Sequence, residues 1–133
     1  EMLERMGLSD PESILGAYPF QLSGGQRQRV GIAMAMTFQP KLLLADEPTS
    51  ALDVTTQAQI VRQMLELRDT YGTAILLVTH NLAVAAYMAS RILVMRNGST
   101  VEQGDRESLL RSQEPYTRQL LQAVPDLGGK CYV

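Results

Sequence analysis

Two short apolar runs stand out along the chain, at residues 42–45 and within residues 73–80. A wholly apolar run of this length predicts a strand that is buried on both faces of a parallel sheet. Residues 54–70, which lie between the two runs, repeat apolar residues at helical spacing. The apolar positions of that segment are Val54, Ala58, Val61 and Leu65, with Ile60, Met64 and Leu67 widening the stripe. A strand, a helix and a second parallel strand make a βαβ crossover, so the pattern predicts an α/β fold.

The chain beyond residue 81 predicts a helix, a hairpin and two further helices. Asn97-Gly98 is a strong signal for a two-residue hairpin turn. Asp105 can cap one helix, and Pro115 suits the first turn of another. The predicted spans are a helix at 82–89, strands at 91–96 and 99–103, a helix that ends at 110, and a helix that begins at 114–115.

The segment Leu22-Ser23-Gly24-Gly25-Gln26 carries the first candidate for ligand chemistry. Ser23 can cap a helix whose third residue is Gln26, which forms a capping box, and this helix runs towards Pro40. The two glycines leave the helix start free of side chains, and bare N–H groups at a helix N-terminus bind phosphate. The alternative reading of an isolated Ser-Gly-Gly is a loop that leads into a capped helix.

For four other side chains of the same helix, the sequence predicts a function less specifically. Arg27 and Arg29 can contact phosphate or acids, but an amphipathic helix more often places such residues on a solvated face or in ion pairs within the chain. Met34 and Met36 are expected to lie in the core.

Polar residues that follow the two apolar runs provide a second group of candidates. Ligands of open α/β sheets bind at the carboxyl ends of the strands, where Asp46 can hold Mg²⁺. Glu47 can orient or deprotonate an attacking water. His80 ends the second run and can donate to a γ-phosphate oxygen. The alternatives are a solvated strand end that turns at Pro48 and a surface histidine.

In this order the motifs resemble the nucleotide-binding subunits of ATP-binding cassette (ABC) proteins, and the resemblance covers most of the chain. Residues 22–26 resemble the signature motif, and residues 42–47 resemble the Walker B strand with its catalytic glutamate. Residues 50–53, Ser-Ala-Leu-Asp, resemble the D-loop, and His80 resembles the switch histidine. Asn81 departs from the acid that the family often has after this histidine.

The resemblance implies a P-loop NTPase-like parallel sheet flanked by helices, with part of a helical subdomain. Residues 1–133 would form a partial ABC ATPase domain. Its expected parts are the helical subdomain at 1–40, the core and hairpin at 41–104, and the helical tail at 105–133. The sequence contains no Gly-x-x-x-x-Gly-Lys-Ser/Thr loop, so it looks like the carboxyl-terminal half of a longer subunit, truncated at its N-terminus.

The resemblance also implies separate roles for these residues in binding and hydrolysing ATP with Mg²⁺. In the family, two cassettes dimerise head to tail, and the signature of one closes over ATP held by the other. Asp46 would bind the metal, and Glu47 and His80 would act on nucleotide bound by the other half of their own subunit. This chain alone is therefore expected to hydrolyse no ATP at a meaningful rate. The residues expected to contact the nucleotide are Ser23, Gly24, Gly25, Gln26 and Asp53.

Composition is consistent with a cytosolic globular domain. The 133 residues are 45% hydrophobic, which can supply a core, and the net charge of -2 gives no reason to expect nucleic-acid binding. Cys131 is the single cysteine, which excludes an internal disulfide and cannot ligate an iron-sulfur cluster alone. No apolar run reaches the roughly 18 residues of a membrane span, and no signal pattern opens the chain. Any link to a membrane is therefore expected to come through a partner.

The tail narrows the expected function. Residues 115–125 are similar to the tail of ATPases that energise peptide and nickel importers, although Glu114 replaces a histidine often found there. This implies an ATPase subunit on the inner face of the cell membrane, working with a second ATPase subunit, transmembrane permeases and a solute-binding protein.

Two alternatives remain open at the level of sequence. One is a soluble ABC ATPase that acts in translation or DNA repair, although such proteins usually carry two cassettes or long coiled coils. The other is a folded fragment with only a structural or dimerisation role. Nucleotide binding measured with and without a full-length partner would separate this last reading from the first two.

Overall fold

The computed structural model describes residues 1–123, and the chain divides into two compact units, Glu1–Val78 and Thr79–Val133. Within the described residues, no helix combines the length and apolar character that crossing a membrane requires. The first unit contains α1 (Met2–Arg5), α2 (Pro11–Gly16), a 3-10 turn (Pro19–Gln21), α3 (Gly24–Met36), β1 (Leu42–Asp46), α4 (Val54–Tyr71) and β2 (Ala74–Val78). The second contains α5 (Leu82–Met88), β3 (Ile92–Arg96), β4 (Ser99–Gly104), α6 (Arg106–Leu110) and α7 (Pro115–Gln122).

The first unit is built on a parallel pair of strands. β1 and β2 run in register from Leu42 opposite Ala74 to Asp46 opposite Val78, with α4 as the connection between them. The buried hydroxyl of Thr73 donates to the carbonyl of Pro40 at 2.7 Å, which fastens the starts of the two strands together. The predicted βαβ crossover is confirmed, and both strands end at the same edge of the sheet.

Only one face of this sheet is buried. Leu43 and Ala45 of β1 are each 9% exposed, whereas Leu42 and Leu44 are 52% and 68% exposed. On β2, Leu76 is also exposed. The prediction of strands buried on both faces is therefore wrong for this structure, because successive side chains alternate between faces and the described residues of this unit cover only one.

The helices also bury faces that differ in part from the predicted ones. Met36 is 1% exposed, but Met34 is 68% exposed, because residues two apart on a helix do not share a face. In α4, Val54 lies in the exposed first turn and Leu65 is only half-buried. The buried residues of α4 are Ile60, Val61, Met64 and Leu67. The buried face therefore includes the predicted widening residues but not Val54 or Leu65 of the predicted central stripe.

The second unit confirms the predicted hairpin and its flanking helices. Asn97 and Gly98 have φ values of 50° and 77°, as a two-residue turn between antiparallel strands requires. Asp105 caps α6 by accepting from the N–H of Ser108, and Glu114 caps α7 by accepting from the N–H of Thr117. The end of the predicted tail segment, residues 124–125, and Cys131 lie outside the described residues.

A polar contact joins the hairpin of this unit to its last helices. The Ser112 hydroxyl donates to Glu102 Oε2 at 2.6 Å and accepts from the N–H of Glu114 at 3.0 Å. The hydrogen bond from Ser112 lowers the pKa of the Glu102 carboxyl. The start of α7 is therefore tied to strand β4.

Two glycines with open surroundings should respond to alanine in opposite directions. Gly72 ends α4 with φ +65°, whereas Gly31 lies inside α3, and an added Cβ would meet no atom within 4 Å at either position. We expect Gly72→Ala to lower the free energy of unfolding by about 1 kcal/mol, because a side chain disfavours the left-handed region. We expect Gly31→Ala to raise it by up to about 1 kcal/mol through helix propensity.

Urea unfolding of the two variants beside the wild type measures both shifts. Because no neighbouring atom is touched at either site, equal and same-signed shifts would contradict the backbone explanation.

Candidate functional site

The start of α3 is held by the capping box that the sequence predicts. Ser23 Oγ accepts from the N–H of Gln26 at 3.2 Å, and Gln26 Oε1 accepts from the N–H of Ser23 at 2.8 Å. Arg27 Nη1 donates to the carbonyl of Leu22 at 2.6 Å and to that of Pro19 at 3.3 Å. Arg27 therefore fixes the segment that leads into the helix, and the acceptors are backbone carbonyls rather than the predicted acids.

The two glycines after Ser23 are not equivalent. A Cβ on Gly25 would lie 2.8 Å from Thr56 Cγ2, a distance that real Cβ atoms do not tolerate. A Cβ on Gly24 would lie 3.6 Å from Leu52 Cδ2, which is an ordinary van der Waals contact. Gly25 is thus required where α3 packs on the first turn of α4, whereas Gly24 leaves space at the helix start.

The signature residues and Asp53 line one cleft. Its volume is about 470 Å³, and the N-termini of α3 and α4 both border it. The N-terminus of α3, whose cap is the neutral Ser23, presents partial positive charge and N–H groups, so this side of the cleft suits an anion. The structure thus brings together all five residues predicted to contact the nucleotide, namely Ser23, Gly24, Gly25, Gln26 and Asp53.

Asp53 is the N-cap of α4. Its Oδ1 accepts from the N–H of Thr56 at 2.9 Å, and its Oδ2 accepts from the Thr56 hydroxyl at 2.7 Å. The backbone hydrogen bond, followed by the hydroxyl, lowers the pKa of Asp53 from its ordinary value of 3.8. Asp53 is therefore an ionised cap at neutral pH, a role that the spacing of Asp53 and Thr56 could have revealed.

The two predicted acids lie at the carboxyl end of β1. Asp46 is the last residue of the strand and is exposed, whereas Glu47 is half-buried and has φ +46°. The N–H of Glu47 donates to the carbonyl of Val78 at 2.9 Å, which holds it at the sheet edge. A left-handed backbone at a residue other than glycine costs of order 1–3 kcal/mol and is most often found at functional sites.

His80 belongs to the second unit and precedes α5. It is exposed, and the neighbouring Asn81 caps α5 by accepting from the N–H groups of Ala83 and Val84 at 3.0 and 3.2 Å. Asn81 thus performs at this helix the capping role that an acid can also fill. That His80 shares a sheet edge with Asp46 and Glu47 stays a prediction.

Comparison with known proteins supports the resemblance to ABC proteins. A family model described as ABC transporter matches residues 1–50. The dipeptide transport ATP-binding protein DppD of Escherichia coli (strain K12) is 50% identical over 127 residues. The glutathione import ATP-binding protein GsiA of the same strain is 48% identical over 129 residues. Over this region the chain is similar to ABC transporter ATP-binding proteins. The resemblance expected from the motifs is confirmed.

A solved ABC transporter structure has the same fold. The chain matches the dimeric structure of a post-hydrolysis state of the ATP-binding cassette MJ0796 bound to ADP and Pi, with 35% identity and a TM-score of 0.68. The match covers 79% of this chain and 44% of that one. The α/β cassette fold is confirmed.

The alignments to the two ABC transporter relatives cover most of this chain but a minor part of theirs. They span 95% of the chain and 39% of DppD, and 96% of the chain and 21% of GsiA.

The two signature glycines provide a matched pair for testing the packing of α3 on α4. We expect Gly25→Ala to lower the free energy of unfolding by about 1–3 kcal/mol, since the added methyl overlaps Thr56. Gly24→Ala should be neutral or slightly stabilising, because it meets only ordinary contacts within a helical turn. Thermal unfolding checks both, and a Gly25→Ala protein as stable as Gly24→Ala would refute the close approach.

The Asp53 cap should contribute to acid sensitivity. Because the pKa of Asp53 is lowered on folding, the carboxylate stabilises the fold above its unfolded pKa, and this is lost as pH falls through the folded pKa. We therefore expect Asp53→Asn to lose less stability than the wild type between about pH 5 and pH 2. Urea unfolding across this range measures how the free energy of unfolding changes with pH. Glu66→Gln, on the exposed side of α4, is the control for removing one negative charge.

Proposed function

We propose that this chain supplies the signature and Walker B parts of the ATP-hydrolysing subunit of an ABC importer for dipeptides or related small solutes, nickel included. The cleft that gathers the signature residues and Asp53 between two helix N-termini carries this proposal. The names of the two relatives support an importer, since one is a dipeptide transport protein and the other a glutathione import protein. They favour transport over a role in translation or DNA repair.

The cleft is suited to the terminal phosphate of ATP. The bare start of α3 offers N–H groups at its positive end, and Gly24 leaves space for a ligand near the backbone. We infer that residues 23–26 contact the γ-phosphate of ATP held by a partner ATPase subunit. A dimer of ATPase subunits is supported by the dimeric structure solved for MJ0796.

Asp46 suits Mg²⁺. Its exposed carboxylate offers hard oxygen ligands at the carboxyl end of β1. Among residues 1–123 there is no group of three or more His, Cys, Asp or Glu side chains that could enclose a metal. This is consistent with Mg²⁺, which usually takes one or two carboxylates and fills its remaining positions with waters and substrate phosphates.

Glu47 and His80 have distinct proposed roles in hydrolysis. Glu47 would position the attacking water and accept its proton, and its left-handed backbone sets it apart from the regular strand that precedes it. His80 would donate a hydrogen bond to a γ-phosphate oxygen. Asp53, already committed to capping α4, would hold the D-loop beside the signature rather than bind ATP through a free carboxylate.

The proposed assembly has further members. The subunit would pair with a second ATPase subunit and dock on transmembrane permeases, which receive solute from a solute-binding protein. It would therefore lie on the inner face of the cell membrane without spanning it. A net charge of -2 gives no support for nucleic acid as a partner.

Replacing Glu47 tests the proposed hydrolysis. In the full-length subunit with its partner, we expect Glu47→Gln to lower kcat for Mg-ATP by at least about 100-fold, because it removes the proton acceptor but keeps the side-chain size. ATP binding should persist. Steady-state turnover and equilibrium binding of ATP measure the two effects, with Glu66→Gln as a control that should retain full turnover.

Turnover of the Glu47→Gln protein at the wild-type rate would contradict the assignment of Glu47. The importer role has its own test, which is ATP-dependent uptake of a labelled dipeptide by proteoliposomes that contain the assembled transporter. Active ATP hydrolysis with no stimulation by permeases and no uptake would favour the non-transport alternative.

A further inference from the structure

Arg29 connects three segments of the first unit. Its Nη2 donates to Gln59 Oε1 of α4 at 2.6 Å, and its Nη1 donates to the carbonyl of Gly7, after α1, at 3.3 Å. Arg29 itself lies on α3, one turn beyond the signature, and lines the same cleft. The guanidinium therefore bridges the end of α1, the signature helix and α4.

The surroundings leave the guanidinium little freedom. Gly7 has φ +66°, and a Cβ on it would lie 2.5 Å from Gln63 Nε2 and 3.4 Å from Arg29 Nη1. Among the described residues, Arg29 Nε and Gln63 Oε1 are buried and make no hydrogen bond. The half-buried Arg29 side chain thus lies in a polar cluster with Gly7, Gln63 and the exposed Gln59.

The spacing of the contacts defines how α3 meets α4. On α3, Gly25 and Arg29 are four residues apart; on α4, their partners Thr56 and Gln59 are three apart. Residues at these spacings share one helix face, so the two contacts follow one another along a single seam. The contact of Gly25 with Thr56 limits how close the two helices can come. The hydrogen bond from Arg29 to Gln59 is directional and resists rotation or separation of the helices.

We propose that Arg29 is a positioning residue, which sets the separation between the signature N-terminus of α3 and the Asp53 end of α4. The inference rests on the proposed function, because this separation matters only if the cleft closes on ATP. Both Nη groups are engaged with the protein and Nε is buried. These contacts favour a role in positioning the helix start over direct contact with phosphate. A lysine could not replace it, since a single ammonium cannot reproduce the planar fork.

The test uses the full-length subunit paired with its partner, in Arg29→Met, Arg29→Lys, Gln59→Leu and the double variant Arg29→Met/Gln59→Leu. We expect kcat for Mg-ATP to fall about tenfold in Arg29→Met and nearly as far in Arg29→Lys, because small misplacements of a binding group lower turnover strongly. KM for ATP should change less than about twofold, since the partner holds the nucleotide. The double variant should be no worse than Arg29→Met, because both changes break one contact.

Each other outcome contradicts the proposal. Recovery of kcat by Arg29→Lys would indicate that charge alone matters, and a large rise in KM would indicate direct contact with ATP. Additive losses in the double variant would deny the coupling to Gln59. Arg68→Met changes a partly exposed arginine near the end of α4 that is paired with Asp69; it is the control and should retain full turnover.

Failure of the inference and of the proposed function can be told apart. A wild-type subunit without ATP turnover would refute the proposed function itself. An active wild type whose Arg29 variants are equally active would refute only the role of Arg29. Thermal unfolding identifies variants that lose turnover because they unfold. The separate effects on kcat and KM are compared only among variants that remain folded.

Discussion

The first unit depends on the close approach of two helix N-termini. α3 packs on α4 at a point where Gly25 faces Thr56 with no room for a side chain between them. Each helix is capped beside this contact, α3 by Ser23 and α4 by Asp53. The caps satisfy backbone N–H groups locally, and the ionised Asp53 offsets the partial positive charge of α4, so the two helix ends can border one cleft. Without the glycine, the cleft between the caps would have a different width.

The first two turns of α4 link the candidate segments of this unit to one another. Asp53 and Thr56 fix the end of the D-loop, and Gln57 donates to the hydroxyl of the buried Thr49, which follows the Walker B acids. One turn further, Gln59 meets the signature helix through Arg29. The turn between β1 and α4 contains two left-handed residues, Glu47 at φ 46° and Ala51 at φ 59°. A strained connection of this kind persists only when its ends are well anchored, which these contacts accomplish.

Local signals in the sequence were sufficient wherever one segment decides its own conformation. The capping box of Ser23 and Gln26, the hairpin at Asn97-Gly98 and the starts of α6 and α7 each depend on residues within about four positions. Prediction was weaker for burial, because burial depends on which elements cover a face. Leu44 looks like a core strand residue but is 68% exposed, and Met34 looks like a core helix residue but faces away from Met36.

The sequence by itself determined the resemblance to ABC proteins, the order of the motifs and the elements that carry them, because spacing and residue type act over short distances. Tertiary structure alone decided that Gly25, not Gly24, is the glycine required by packing, because the atom that leaves no room there belongs to Thr56 of another helix. It also decided that Arg29 bonds to Gly7 and Gln59, residues 22 and 30 positions away. Such contacts follow from how helices cross, and the hydrophobic pattern of a single helix does not specify that crossing.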